Sequence, residues 1–391
     1  MSKQNWIVSQ DILDRCHERA SVYDRENRFC QEDFDELRRI GYLKMAVPKE
    51  LGGLGLNLAE SCRETRRLAY HAPATALCIN MHTYWCGVAS ELWKRGDKSL
   101  EWLLKEAAQG EVFAAGHAES GNDIPVLLTT SKAERVSGGY KFTGRKSFGS
   151  LSPVWTRLGL HGMDTSDPAH PKVVHVFMPR DTKGYKIEET WDTLGMRATR
   201  SDDTVLDGCF VPDKYIARVV APGPAGLDLF VLSIFAWGLV AFGNVYCGLA
   251  QRVRDITLDM LKKKKSIAVT RTMAYHPEAQ HGVAEMVMAL ETVEPLLDRV
   301  AEEWAEGRDY GPGWVLKIVT AKYQAVEAAF RVADTALDLS GGYGMFKKSE
   351  LERLFRDSRA GRFHPANSAL THELVAKLSL GIDPAESPRW G

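Results

Sequence analysis

The chain has 391 residues, enough to bury a large core and to divide into roughly two or three units. Its 50 Lys and Arg balance 51 Asp and Glu to a formal charge of −1, which argues against a binder that grips nucleic acid through net charge. Seven scattered cysteines without a CxxC pair point to a reducing, cytoplasmic setting, and the N-terminal MSKQNWIVSQDILDR holds no apolar signal core.

Residues 1–112 read as helical. Ser9 stands where a cap belongs, ahead of DILDRCHERASVYD with its apolar residues at helical spacing. A short amphipathic helix at 32–40 is stopped by Gly41. The glycine-rich VPKELGGLG at 47–55 does not follow the order of a phosphate-binding lysine loop. Longer helices are predicted over 58–70 and 73–94, and another over 99–108. From 112 the apolar period changes to two. Eight short runs, from VFAAGHAES to YIARVVAP, alternate with turn residues and predict a small antiparallel barrel or sandwich. Helical periodicity returns after Pro222, over 227–261, 276–306, 313–339, 349–362 and 367–380.

The stretch LDLFVLSIFAWGLVAFGNVYCGLA, 227–250, approaches the length of a membrane span. It carries Ser233, Asn244 and three glycines and stands alone in a chain of ordinary polarity, so the expectation is a helix buried on all sides in a bundle, with no membrane span. Further on, a helix ends at Gly341-Gly342-Tyr343-Gly344, and a second carries Glu352, Arg353, Arg356 and Asp357. Phe363-His364-Pro365-Ala366-Asn367 follows, with Pro365 and Asn367 marking a helix start. A glycine turn near a helix start suits a planar cofactor with phosphates, though by itself such a turn is more often a helix C-cap. The His and Glu residues show no HExxH spacing, so no metal site is expected, and no cysteine has a base partner in sequence.

Three stretches carry a family likeness. Phe113–Asp123 (FAAGHAESGND), running without gaps to Gly144–Ser150 (GRKSFGS), resembles a flavin-contacting strand and loop. His276–Gln280 through Ala284-Glu285-Met286 is similar to a helix that opens HQ…AEM. The third is the GGYG turn with Arg356-Asp357. With the helical, β, helical order, the whole chain is identified as a member of the acyl-CoA dehydrogenase superfamily. The resemblance implies an α+β fold: an N-terminal helical domain at 1–112, a central antiparallel β-barrel or sandwich domain at 113–222, and a C-terminal four-helix bundle at 223–391. It implies FAD held in extended form between the β domain and the bundle, and a homo-oligomer, dimer or tetramer, whose interface the adenine half crosses. Phe148 would lie along the isoalloxazine face, Ser150 near N5, and the backbone of His117 and Ala118 at the pyrimidine edge. Gly341 and Gly342 would meet the pyrophosphate of a neighbouring subunit's FAD, and Asn367 joins the cofactor-binding set. Phe148 reads equally as a core strand residue, and Ser150 as a turn serine.

The sequence departs from the family where the chemistry sits. Dehydrogenation of an acyl thioester needs a base within reach of the α proton while hydride leaves the β carbon for N5. The glutamate of the family's Tyr-Glu-Gly-Thr turn is Pro365 here, and the alternative position on the long helix, 236–240, has no acid. His364 resembles instead the histidine of monooxygenases on this fold, where a histidine and a serine steady a flavin C4a-hydroperoxide. Ser150 with His364 fits that pair, as an imidazole that exchanges protons near neutral pH. A plain capping histidine is the alternative. Glu119 reads either as a replacement acid or as a surface loop carboxylate. The RxxFG arginine is replaced by KKKSIA at 263–268, with Arg271 or Lys265 as substitutes, so FAD is expected to bind weakly or to arrive reduced from a partner reductase. Two chemistries follow: dehydrogenation of an acyl thioester, with an electron-transfer partner, or oxygenation of an apolar or aromatic small molecule. Phe235, Trp237, Phe242, Met81, His82 and Trp85 are candidates for the substrate pocket.

Overall fold

The computed structural model describes residues 6–386. Helices α1 (Gln10–Glu26), α2 (Gln31–Arg39), α3 (Leu58–His71), α4 (Pro73–Lys94) and α5 (Glu101–Gln109) form the N-terminal part. Ser9 takes the capping position of α1, but its hydroxyl makes no capping bond. The reciprocal cap belongs to α3: Asn57 Oδ1 accepts from Glu60 N at 3.0 Å, and Glu60 Oε2 accepts from Asn57 N at 2.9 Å. The 47–55 glycine loop is a packed turn rather than a ligand cradle. A Cβ on Gly53 would lie 2.1 Å from the Val47 carbonyl oxygen.

All eight predicted strands form: β1 (Phe113–Gly116), β2 (Lys132–Val136), β3 (Gly139–Gly149), β4 (Arg157–Asp164), β5 (Lys172–Pro179), β6 (Tyr185–Glu188), β7 (Asp202–Pro212) and β8 (Ile216–Val220). They make one sheet in the order β6-β7-β3-β2-β4-β5-β8, with β1 beside β4. Two expectations are corrected here. The sheet stays open between β6 and β8, so no barrel closes. It is mixed rather than antiparallel, because β1 runs parallel to β4, Phe113 opposite Arg157, and β2 meets β4 in parallel at Lys132 and Met163. Alternation marks which face of a strand is buried; the connections set its direction, and the pattern does not encode them. β1 also stops at Gly116, and residues 117–131 leave the sheet as a long loop.

The C-terminal part consists of α6 (Leu229–Ile234), α7 (Ala241–Lys263), α8 (Pro277–Ala305), α9 (Gly313–Ser340), α10 (Glu350–Ala360) and α11 (Ser368–Leu380). A π-helical turn, Phe235–Val240, joins α6 to α7. The long apolar helix lies inside the protein as predicted: 83% of its most hydrophobic window is buried. It packs on α3 and α4 on one side and on α8 and α9 on the other. Close approach to α3 depends on Gly248, where a Cβ would sit 2.2 Å from the Arg66 carbonyl oxygen. Arg66 links three helices: Nε donates to Asn244 at 2.9 Å, and the guanidinium pairs with Glu294 and Asp298 of α8.

Gly248→Ala must push α3 and α7 apart and should destabilise the protein by about 1–3 kcal/mol. Gly238→Ala, whose Cβ meets nothing within 4 Å, should leave stability unchanged or raised. Urea denaturation of both variants beside the parent checks the contrast.

Candidate active site

A cavity of about 610 Å³ opens where the N-terminal helices, the sheet and the bundle meet, within the roughly 300–1,000 Å³ usual for small-molecule sites. One wall is the end of β3. Lys146 pairs with Thr204 and Gly149 with Asp202, so two β3 residues face one of β7 in a bulge. Within the bulge Phe148 adopts φ +56°, and Leu151 just beyond has φ +68°. The bulge turns the Phe148 ring out of the sheet, leaving it 59% exposed at the cavity with its edge-to-face neighbour Trp191 at 5.7 Å. Strained backbone of this kind clusters at active sites and ligand clamps.

Ser150 follows, buried on the same wall. Its Oγ lies 2.7 Å from Ser201 Oγ, which lies 2.7 Å from Thr199 Oγ1. Thr199 donates to the Met196 carbonyl at 2.9 Å. A carbonyl only accepts, so all three contacts are satisfied together when Ser201 donates to Thr199 and Ser150 to Ser201. Ser150 then presents lone pairs to the cavity.

The opposite wall carries Phe363–Asn367 from the α10–α11 connection. The His364 ring stacks on Phe242 at 4.7 Å and 22°, and its Nε2 lies 2.8 Å from the Tyr246 hydroxyl. Behind it Lys322, on α9 and almost wholly buried, donates through Nζ to the carbonyls of His364 and Ala366, both at 2.9 Å, and of Gly361 at 3.3 Å. Burial, reinforced by the Lys322 charge, pushes the His364 imidazole down to about 3. It is therefore uncharged at neutral pH and does not titrate there, contrary to the expectation of proton exchange near neutrality.

His117 and Ala118 lie on the wall near the start of the 117–131 loop. The Ala118 carbonyl accepts from Ser147 N at 2.9 Å, and the His117 ring points into the core among Trp85, His161 and His175. Asn367 caps α11, accepting from Leu370 N at 2.9 Å, and also lines the cavity. Gly341 and Gly342 do not reach this cavity; they sit exposed at the end of α9, with Gly341 at φ +64°. Lys264 is bonded to the Ser340 carbonyl at that turn, at 2.8 Å, and Arg271 covers Tyr275.

Glu119 is neither a surface carboxylate nor a spare acid. It is buried and pairs with Lys146 at 2.5 Å. It also accepts from Thr129, Ser131 and the backbone of Thr130 and Ser131. Lys146 and these donors outweigh burial and hold its carboxyl down, to about 2. Of the predicted pocket residues, Phe235, Phe242 and Met81 line the cavity, whereas His82 and Trp85 are bonded within the core and Trp237 packs there. Leu77 and Tyr84 line it instead. With Met81 they fall on one helix face at i, i+4 and i+7, a signal the sequence carried.

A sheet-and-bundle enzyme with an aromatic-walled cleft at the junction is the class this architecture defines. Models of the acyl-CoA dehydrogenase N-terminal and C-terminal domains match residues 9–109 and 240–369. The chain belongs to the acyl-CoA dehydrogenase superfamily of flavin-dependent oxidoreductases. It is similar to the amino sugar nitrososynthase DnmZ of Streptomyces peucetius, 28% identical over 92% of this chain and 88% of that one. It is also similar to YdbM of Bacillus subtilis, provisionally named an acyl-CoA dehydrogenase, 26% identical over 94% of both chains. Among solved structures, KijD3 in complex with FMN and a dTDP-amino-keto sugar superposes with a TM-score of 0.84 at 25% identity, covering 95% of this chain and 92% of that one.

Glu119→Gln should destabilise the protein by about 3–5 kcal/mol, since it strands the Lys146 ammonium in the core. The folded pKa of Glu119 lies below its ordinary 4.5. Its contribution is therefore complete above pH 4.5 and is lost as pH falls towards about 2. The stability gap between parent and variant should narrow across that window in denaturation experiments.

Proposed function

We propose that the cleft binds a flavin and that the enzyme is a reduced-flavin-dependent monooxygenase acting on a small molecule with an apolar portion. One observation carries the reading. Neither place where the family keeps its base, the 364–367 loop or the Phe235–Val240 turn, brings a carboxylate to the cleft. Uncharged His364 and the acceptor Ser150 stand there instead. Of the carboxylates on the wall, Glu119 is committed to Lys146, Glu373 pairs with Lys377 at 3.0 Å, and Asp123 lies on the 117–131 loop.

The residues fit the cofactor. The outward-turned Phe148 ring offers a face for a tricyclic system, and the N-terminus of α11 beside Asn367 favours negative charge. A bound reduced flavin supplies two electrons, with which one oxygen atom of dioxygen passes to the substrate and the other leaves as water. Ser150, fixed as an acceptor by Ser201 and Thr199, suits an N–H such as N5 of the reduced ring. His364 holds a polar atom of the cleft's occupant without bringing a charge. Leu77, Met81, Tyr84, Leu239 and Phe242 keep the cavity apolar and limit water. A flavin reductase is the partner this chemistry requires. FAD and FMN both fit these wall contacts; the adenine half of FAD would need the Gly341-Gly342 turn of a second copy. The nitrososynthase likeness favours a nitrogen-bearing substrate.

Acyl thioester dehydrogenation is the second reading, favoured by the likeness to YdbM. Purified protein given reduced flavin in air should take up oxygen and form product from an amine panel, and acyl-CoA should not bleach its flavin anaerobically. Bleaching by an acyl-CoA would reverse the order of the two readings. His364→Ala should abolish product formation with the fold intact; unchanged turnover removes His364 from the chemistry. Thr199→Val leaves Ser201 free to donate to Ser150. The preference for reduced over oxidised flavin should then fall roughly three- to tenfold in titrations.

A further inference from the structure

The contact between Tyr246 and His364 carries an inference about what the cleft can recognise; it rests on the reading that the 364 loop faces the reacting atoms. Tyr246 lies on α7 with no exposed surface. Among the described residues its hydroxyl has one hydrogen-bond partner, His364 Nε2 at 2.8 Å. A neutral imidazole has one N–H and one bare nitrogen. Were Nε2 to carry the hydrogen, it would donate to the phenol oxygen, and the phenol O–H would be buried with no acceptor. With Nε2 bare, the phenol donates to it and no buried donor is left over. Only oxygen lone pairs go unused, the lesser penalty, since orphaned donors are rarer in folded proteins than under-used acceptors.

We propose that Tyr246 is a positioning residue that fixes the tautomer of His364 with the hydrogen on Nδ1. His364 then meets the cleft as an N–H donor for a carbonyl or oxyanion oxygen, and not as a general base. Three further observations agree. Nδ1 has no hydrogen-bond partner among the described residues, and it is not among the sealed-in polar atoms. Stacking on Phe242 fixes the plane in which it points. Lys322 clamps the backbone on both sides of the ring and, with burial, keeps the imidazole from taking a second proton. Tyr246 stays protonated in turn, because burial raises its phenol well above the ordinary 10.0.

Nitrogen NMR of protein labelled with ¹⁵N-histidine tests this at pH 7, the His364 signals being those missing from His364→Gln. The expected spectrum has a protonated-type Nδ1 and a bare-type Nε2. A protonated Nε2 in the parent protein overturns the proposal. In Tyr246→Phe the Nε2–H form should rise about tenfold, to a comparable share of both tautomers. A spectrum unchanged by that substitution also overturns it. The parent spectrum decides by itself if the variant does not fold. A parent with hydrogen on Nδ1 that binds no flavin, oxidised or reduced, upholds the tautomer and removes the flavin reading instead.

Discussion

The site depends on one buried cation. Lys322 has almost no exposed surface, and no carboxylate among the described residues lies within ion-pair distance. An ammonium in that position is costly unless its hydrogens are taken up. Here three carbonyls, of Gly361, His364 and Ala366, take one each. Burial pulls the ammonium down, to about 7, against the opposing charge of Glu327. The consequence is mechanical and electrical together. The loop that carries His364 is fastened to α9 through its backbone, so its side chains need not anchor it. The same charge lies behind the imidazole and disfavours a second positive charge on it.

That clamp fits the rest of the architecture. The π-helical turn at Phe235–Val240 brings Phe235 and Leu239 to the cleft, and Phe242 follows on α7, in a stretch buried from Ala236 to Ala250. π-helical turns of this kind recur at functional sites because they re-aim side chains without ending the helix. Phe242 supplies the plane on which His364 stacks, and Tyr246, one turn further on, reaches its Nε2. The β wall is built the same way. The bulge at Phe148 aims a ring outward, and Met196, Thr199 and Ser201 set the direction of the Ser150 hydroxyl. Ser150 and His364 each have a buried partner that bears on which way the hydrogen points.

Much of this frame was legible in the sequence, for reasons that differ by element. The strands appeared where alternation placed them, and the apolar 227–250 segment was buried as its interrupting Ser233 and Asn244 implied. Positions 148, 150 and 364 were found through motif likeness, and all three line one cavity. The partners were not legible. Tyr246 is 118 residues from His364 and Ser201 is 51 from Ser150, and each lies in a segment whose pattern reports only burial. Glu119 looked like a loop carboxylate because carboxylates are mostly exposed. Thr129 to Ser131, further along the same loop, turned out to be its hydrogen-bond donors. Strand direction and barrel closure failed for a related reason: both depend on connections, and a period of two is blind to them.

The missing base and the clamped histidine belong to one argument. Pro365 lines the cleft where a carboxylate would be the base, next to the residue that Lys322 fastens through its carbonyl. Proline offers no base and rigidifies the backbone that Lys322 grips. On the proposed reading, a chain organised this way does not abstract a proton at that point of the cleft. In its place stands a donor of fixed direction that keeps one charge state across the physiological range. Such a group serves a reaction in which an oxygen atom must be held and directed, better than one in which a carbon acid must lose its proton.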